Sequence, residues 1–380
     1  MNERDDILIL TASAGGGHLV AARAMEVAVR ARAPELRISV VDVLAIANPV
    51  FRRLYAGGYL ALVRHLPAVM GWLYDTMDRP NPGLSDKLRV AIQDANKGPI
   101  VHTILRRRPR LIVHTHYLSA EIVAQMRRAR RIDCPHVIVT TDYETHRIWA
   151  RQPAERYCTA TEDGKFYLTT FGVSPERIAV TGIPVRPGFV PPEDVTAARR
   201  ECGLNPDLPV VLLLCGGFGV GPIVDLFGEL LAMPAAAQIV VIVGRNEPLR
   251  RRLEANARGT ERTVKVIGFT DRVHDWMRAA DVAVTKPGGL TVAEALACGL
   301  PLVIVNPIPG QETRNSDYVL EHGAGIKVNS TRLLGRRVSE LLADAARLTG
   351  LRTAARATGR PRAAADIAAD ALKLRDWASS

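Results

Sequence analysis

The chain reads as an α/β protein built on two doubly wound parallel sheets. Three observations carry this reading. Short apolar runs alternate with helical stretches along most of the sequence, the rhythm of a parallel sheet covered by helices. The same opening, an apolar strand running into a glycine turn and then a helix, occurs twice: ILILT into ASAGGGH (11–18 with the preceding Thr) and VVLLLC into GGFGVG (216–221). Finally, 380 residues are enough for two domains, each burying its own core.

The first half opens with the run Ile7–Thr11, a helical pattern through about Arg32, and a second run over Ile38–Val43. This is a βαβ unit with glycines at its first turn, but the spacing is not that of a dinucleotide fingerprint. A NAD-dependent dehydrogenase is disfavoured for that reason. Strands are predicted again at 110–114 and 136–140. Each ends in polar residues: His114, Thr115 and His116, then Thr141, Asp142, Glu144 and His146. In open α/β sheets ligands sit beyond these carboxyl ends. A short strand at 178–181 leads into TGIPVRPGF and a Pro- and charge-rich stretch, 184–208, that reads as a linker. The second half follows, with strands at 238–243 and 264–269 and the run ADVAVT before a Pro-Gly-Gly turn. The expected division is 1–185, a linker at 186–208, a second domain over 209–355, and a helical segment, 356–380, returning to the first domain.

Residues 48–82 differ from their surroundings. Phe51, Tyr55, Tyr59, Leu62 and Leu66 recur at helical spacing, Arg52, Arg53 and Arg64 are interleaved, and Trp72 and Tyr74 follow. Aromatics beside arginines suit a membrane-interfacial segment, and equally an amphipathic helix packed on the sheet. The Gly57-Gly58 pair argues against one rigid helix. The net charge of +11 reads either as a call for an anionic partner (nucleic acid, an anionic membrane surface or an anionic substrate) or as solvated, arginine-rich helix faces. Five scattered cysteines form no CxxC pair and read as reduced thiols. The acidic MNERDD start is not a signal peptide, and no run approaches the roughly 20 apolar residues of a membrane span.

The stretch 285–315, TKPGGLTVAEALACGLPLVIVNPIPGQETRN, carries the clearest chemistry. A strand, a glycine turn and a helix starting near Leu290 expose backbone N–H groups at the positive end of a helix dipole, a place for phosphate. A second apolar run then leads into a loop with Gln311, Glu312 and Asn315.

Four stretches, TASAGGGH (11–18), TDYETHRIW (141–149), GIPVRPGF (182–189) and residues 285–325, give the chain a specific likeness. It resembles the two-domain GT-B glycosyltransferases, and within them the monogalactosyldiacylglycerol synthase and processive diacylglycerol glucosyltransferase group. The peptidoglycan N-acetylglucosaminyltransferases are a less close resemblance. What the group implies is two Rossmann-like doubly wound domains facing across a cleft, with a UDP-sugar on the C-terminal domain and the acceptor on the N-terminal one. Carried onto this sequence, Gly288, Gly289, Leu290 and Thr291 meet the diphosphate, with Arg186 approaching it. Glu294 accepts from the ribose, and Arg245 with Phe269 flanks the uracil. Gly216 and Gly217 allow close approach. The loop Pro309, Gly310, Gln311 and Glu312, with Asn315 near, holds the hexose. Gly16 and Gly17, with Phe51, Arg52, Arg53, Tyr55, Tyr59, Trp72 and Tyr74, belong to the acceptor and membrane side.

Transfer needs a base for the acceptor hydroxyl and positive groups for departing UDP. His18, ending the GGGH turn at a helix start, is kept neutral by the dipole and is the expected base. Asp142 is the expected group that orients it. The expectation is a β-linked hexose, glucose or galactose, on diacylglycerol, made without metal or other cofactor by a cytoplasmic enzyme peripheral on the inner face of the membrane. Nucleic acid is not expected. Two rivals are a GT-B enzyme with another hydrophobic acceptor, such as a polyprenyl-linked sugar or small natural product, and a non-catalytic UDP-sugar-responsive membrane-docked binding protein.

Overall fold

The computed structural model describes residues 4–13, 16–48, 52, 67–78, 97–216 and 222–377. The chain divides into two compact units: Met1–Arg186 with Pro309–Gln311 and Arg362–Ser380, and Pro187–Ile308 with Glu312–Pro361. Phe51, Arg53, Tyr55, Tyr59 and Gly217 lie outside the described residues.

The first unit holds six parallel strands: β1 (Ile7–Thr11), β2 (Ile38–Asp42), β3 (Leu111–His114), β4 (His136–Val139), β5 (Arg156–Thr159) and β6 (Ile178–Val180), in the order β2-β1-β3-β4-β5-β6. An unbroken apolar strand such as ILILT suits a sheet covered on both faces. Its side chains alternate: Ile7 and Ile9 join one core cluster, Leu8 and Leu10 the other. On the first face, helix Gly16–Arg32 presents Ala21, Ala22, Ala24, Met25, Ala28 and Val29. These mostly small residues let helix Ala363–Trp377 pack in the same layer through Ala364, Ile367, Ala368 and Ala371. An ion pair of 2.9 Å between Arg156 and Asp370 ties that helix to β5.

The second unit repeats the plan with β7 (Val210–Leu214), β8 (Gln238–Ile242), β9 (Val264–Ile267), β10 (Val282–Thr285), β11 (Leu302–Val305) and β12 (Gly325–Val328), all parallel, in the order β12-β11-β10-β7-β8-β9. Its core gathers Val211, Leu213, Phe227, Val241, Val284 and Val303.

The stretch expected as a linker is part of this unit. Residues 195–201 form a helix capped by Asp194, whose carboxylate accepts from Thr196 N at 2.7 Å. Arg199 is buried and donates to Asp281 at 2.5 Å, to Ala279 O and to Pro206 O. Charged residues of a stretch that reads as a linker are here spent on pairing, which periodicity alone does not reveal.

Both sheets reverse direction where the glycine turns lie. In the first, the chain leaves β1 for β2 on one side and returns as β3 on the other. In the second, β7 leads to β8 on one side while β10 lies on the other. Such switch points open a crevice beyond the strand ends, where ligands of α/β proteins bind.

Candidate active site

At the first switch point β1 ends at Thr11 and β3 at His114, so Thr115 faces the start of helix Gly16–Arg32. His18 Nδ1 is 3.0 Å from Thr115 O and 2.9 Å from Thr141 Oγ1, and Thr115 Oγ1 donates back to His18 O at 3.0 Å. A carbonyl only accepts, so Nδ1 carries the proton and Nε2 keeps its lone pair. Burial lowers the His18 pKa to about 4, opposed by the bond to Thr115, so the ring is neutral at physiological pH. His116 packs edge-on at 4.6 Å between ring centroids and Trp149 at 6.5 Å. His116 Nδ1 accepts from Leu118 N at 3.1 Å, capping helix Tyr117–Arg128.

Asp142 does not orient His18. Its carboxylate accepts from Gln311 and from Trp149, and burial pushes its pKa up to about 6 against those bonds. The orienting groups are Thr115 O and Thr141 Oγ1. Both residues stand at strand ends in the sequence, but a backbone carbonyl leaves no trace there.

Helix Pro67–Met77 belongs to the same unit. Trp72 and Val69 on it are 62% and 40% exposed, three residues apart on one face. Tyr74 points the other way: its ring lies tilted against His146, 4.4 Å between centroids, and His146 Nε2 donates to Tyr74 O at 2.9 Å. Pro309 and Gly310 lie against this helix, Pro309 beside Gly71 and Gly310 beside Tyr74. Gly310 has φ +92, which a side chain would strain. Arg52 is exposed, as is Gly16, while Gly17 is half-buried.

At the second switch point β7 ends at Leu214, two residues before Gly216, which has φ +66, and β10 leads into Lys286-Pro287-Gly288. Gly288 caps helix Gly289–Ala297 with extended backbone. No side chain caps this helix, so the N–H groups of Gly289, Leu290 and Thr291 remain as donors for an anion. Leu290 and Glu294 are buried on it. Arg245 lies over the Phe269 ring at 4.1 Å from its centroid, and Phe269 is 58% exposed. Arg186 falls at the end of the first unit.

Asn315 is fully buried, and its Nδ2 donates to Pro287 O at 3.1 Å, bracing the Pro287-Gly288 turn. Glu312 accepts from Ile308 N at 2.8 Å. Burial raises its pKa, while Ile308 N–H and Lys286 oppose the rise. Lys286, half-buried with its own pKa lowered by burial, is a cation at the turn that sequence reasoning left without a role.

The family model "Monogalactosyldiacylglycerol (MGDG) synthase" matches residues 18–185, and "Glycosyl transferases group 1" matches residues 223–358. The processive diacylglycerol beta-glucosyltransferase of Bacillus subtilis (strain 168) is 30% identical over 345 residues, covering 90% of this chain and 88% of that protein. Its counterpart in Staphylococcus saprophyticus is 27% identical, over 100% of this chain and 95% of the other. Among solved structures, MurG of Acinetobacter baumannii aligns with a TM-score of 0.58 at 15% identity, over 97% of this chain and 99% of that one. The calicheamicin glycosyltransferase CalG4 aligns with a TM-score of 0.60 at 18% identity, over 97% of this chain and 98% of that one. At such identities these structures speak for the fold. On the sequence relatives, the chain belongs to the monogalactosyldiacylglycerol synthase and processive diacylglycerol glucosyltransferase group of GT-B enzymes, and it is a glycosyltransferase.

Proposed function

We propose that this enzyme moves glucose or galactose from a UDP-hexose to the free hydroxyl of diacylglycerol with inversion, leaving a β-linked glycolipid. The observation that carries the reading is the fixed tautomer of His18, with Nδ1–H engaged by Thr115 O and Nε2 left as a proton acceptor. In this reaction the acceptor oxygen forms a bond to the hexose anomeric carbon as the bond from that carbon to the UDP oxygen breaks. The hydroxyl proton goes to His18 Nε2. At a pKa of about 4 the ring is a weak base, taking the proton only as attack makes the hydroxyl acidic. One displacement from the face opposite UDP inverts the centre. The names of the sequence relatives support diacylglycerol as acceptor and the β linkage.

On the donor side, the uncapped start of helix Gly289–Ala297 supports diphosphate binding, with Thr291, Lys286 and Arg186 as further donors. Glu294 takes the ribose hydroxyls, Arg245 and Phe269 the uracil, and Gln311 with Glu312 the hexose. The reading invokes no metal, because these groups meet the charge that develops on the departing UDP. Trp72 and Val69, with the positive net charge, support reversible docking on an anionic membrane surface at the inner face of the cell membrane. The test is incubation with diacylglycerol in vesicles and each UDP-hexose in turn. Glycolipid formed by the wild type and lost in His18→Ala is the expected result; UDP release without glycolipid would point to another acceptor.

A further inference from the structure

The end of helix Gly289–Ala297 opposite the phosphate-binding turn borders a second cationic feature. At about 1.5 Å per residue the two ends lie some 13 Å apart. Beyond the helix, Cys298, Gly299 and Leu300, together with Arg278, Arg352 and Arg356, line a small pocket partly open to solvent. Arg278 comes from helix Val273–Ala279, and Arg352 and Arg356, four residues apart, from one face of helix Ala345–Thr358. The aliphatic stem of Arg356 lies across Gly299, whose φ of +64 and missing side chain leave room for it.

The charges here do not balance. Asp281 is shared by buried Arg199, at 2.5 Å, and by Arg352, at 3.0 Å. Among the described residues Arg278 and Arg356 form no ion pair or hydrogen bond, and Arg278 Nε is buried without a partner. Glu294, one turn before Cys298, and the helix carbonyls supply negative potential, but a helix end is worth only about half a charge. Four guanidiniums thus gather where one carboxylate is directly engaged. Arginine forks match phosphate oxygens in pairs.

We propose that Arg278, Arg352 and Arg356 form a site for a phosphate-type oxyanion, distinct from the turn at Gly288. The proposal does not depend on the donor or acceptor named above. Free inorganic phosphate and the headgroup phosphate of an anionic lipid share the chemistry, and the test separates them.

The thermal unfolding of the full chain is followed in inorganic phosphate against chloride at matched ionic strength. Three proteins are compared: wild type, R278Q/R356Q, and R252Q/R258Q, which removes two exposed charges elsewhere. Phosphate should stabilise the wild type and R252Q/R258Q, with apparent affinity falling about tenfold or more in R278Q/R356Q. Phosphate held at the Gly288 turn is insensitive to R278Q/R356Q, so an unchanged response in that variant overturns the proposal. So does equal loss in R252Q/R258Q, which would report net charge alone. If R278Q/R356Q does not fold, R356Q at an exposed side chain carries the same test, and an unaltered response there overturns it. Flotation with phosphatidylcholine vesicles, with and without phosphatidylglycerol, identifies the source. Anionic-lipid binding that requires Arg278 and Arg356 assigns a headgroup phosphate; a site that answers only to inorganic phosphate assigns a soluble anion.

Discussion

His18 Nδ1 lies 3.0 Å from the carbonyl oxygen of Thr115, across the gap between β1 and β3. This contact fixes which nitrogen of the ring can take a proton, and it comes from backbone rather than from a carboxylate. His18→Ala should therefore lower turnover by roughly 10²–10⁴-fold while leaving UDP affinity near wild type, measured by calorimetry beside steady-state rates. Thr141→Val, which removes the second oxygen on Nδ1, should reduce turnover by roughly tenfold. Retained turnover in His18→Ala would sink its role as base.

Acid should destabilise the fold well before the carboxylates protonate. In the folded chain His18 and His136 release their protons at about 4, and His114 and His116 also lie well below an ordinary imidazole, all mainly through burial. An unfolded imidazole holds its proton up to about 6.5. Between these values the unfolded chain binds more protons, so stability falls as pH drops through that window. Asp142, keeping its proton up to about 6 when folded, and Glu312, whose pKa burial also raises, act in the opposite sense. Four imidazoles outweigh two carboxyls. The melting temperature should fall on going from about pH 7 to about pH 5; a flat profile would contradict the buried neutral rings.

Asp281→Ala removes one partner from a buried cluster. Arg199 loses its ion pair, and Val210 N, which donates to Asp281 Oδ2 at 2.7 Å, loses its acceptor. Breaking such a pair costs about 3–5 kcal/mol. Denaturant unfolding should register that loss in the second unit, and a change below about 1 kcal/mol would show the cluster to be solvated.

Trp72→Ala tests membrane docking. Losing one large exposed aromatic should weaken binding to anionic vesicles by roughly tenfold, with activity on a water-soluble short-chain acceptor retained. Equal vesicle binding by wild type and variant would remove helix Pro67–Met77 from the docking surface.

Glu312 anchors its loop by accepting from Ile308 N, beside Lys286. Glu312→Ala should raise the Michaelis constant for the UDP-hexose by about tenfold. It should also change the preference between glucose and galactose, read by running both donors in competition. An unchanged ratio would take Glu312 out of sugar choice.

Much of the fold was legible because local rules suffice for it. Runs such as ILILT and LVIV are apolar at every position, as strands covered on both faces must be, and the glycine turns mark where they hand over to helices. The start of helix Gly289–Ala297 could likewise be named, because free N–H groups at a helix start follow from the sequence pattern alone.

What only tertiary structure decided were the partners of each polar group. Thr115 O, Thr141, the Arg199–Asp281 pair and the Asn315 bond to Pro287 join residues 28 to 123 positions apart. No periodicity records such pairings, since a hydrogen bond depends on where two strand ends meet in space. By itself the sequence determined the two parallel sheets and their glycine turns. Folding then decided that Thr115 rather than Asp142 sets the His18 tautomer, that residues 195–201 form a helix of the second unit rather than a linker, and that Arg278, Arg352 and Arg356 gather beyond the C-terminal end of helix Gly289–Ala297. Burial forces each buried charge or N–H to find whichever partner the packed chain brings within reach.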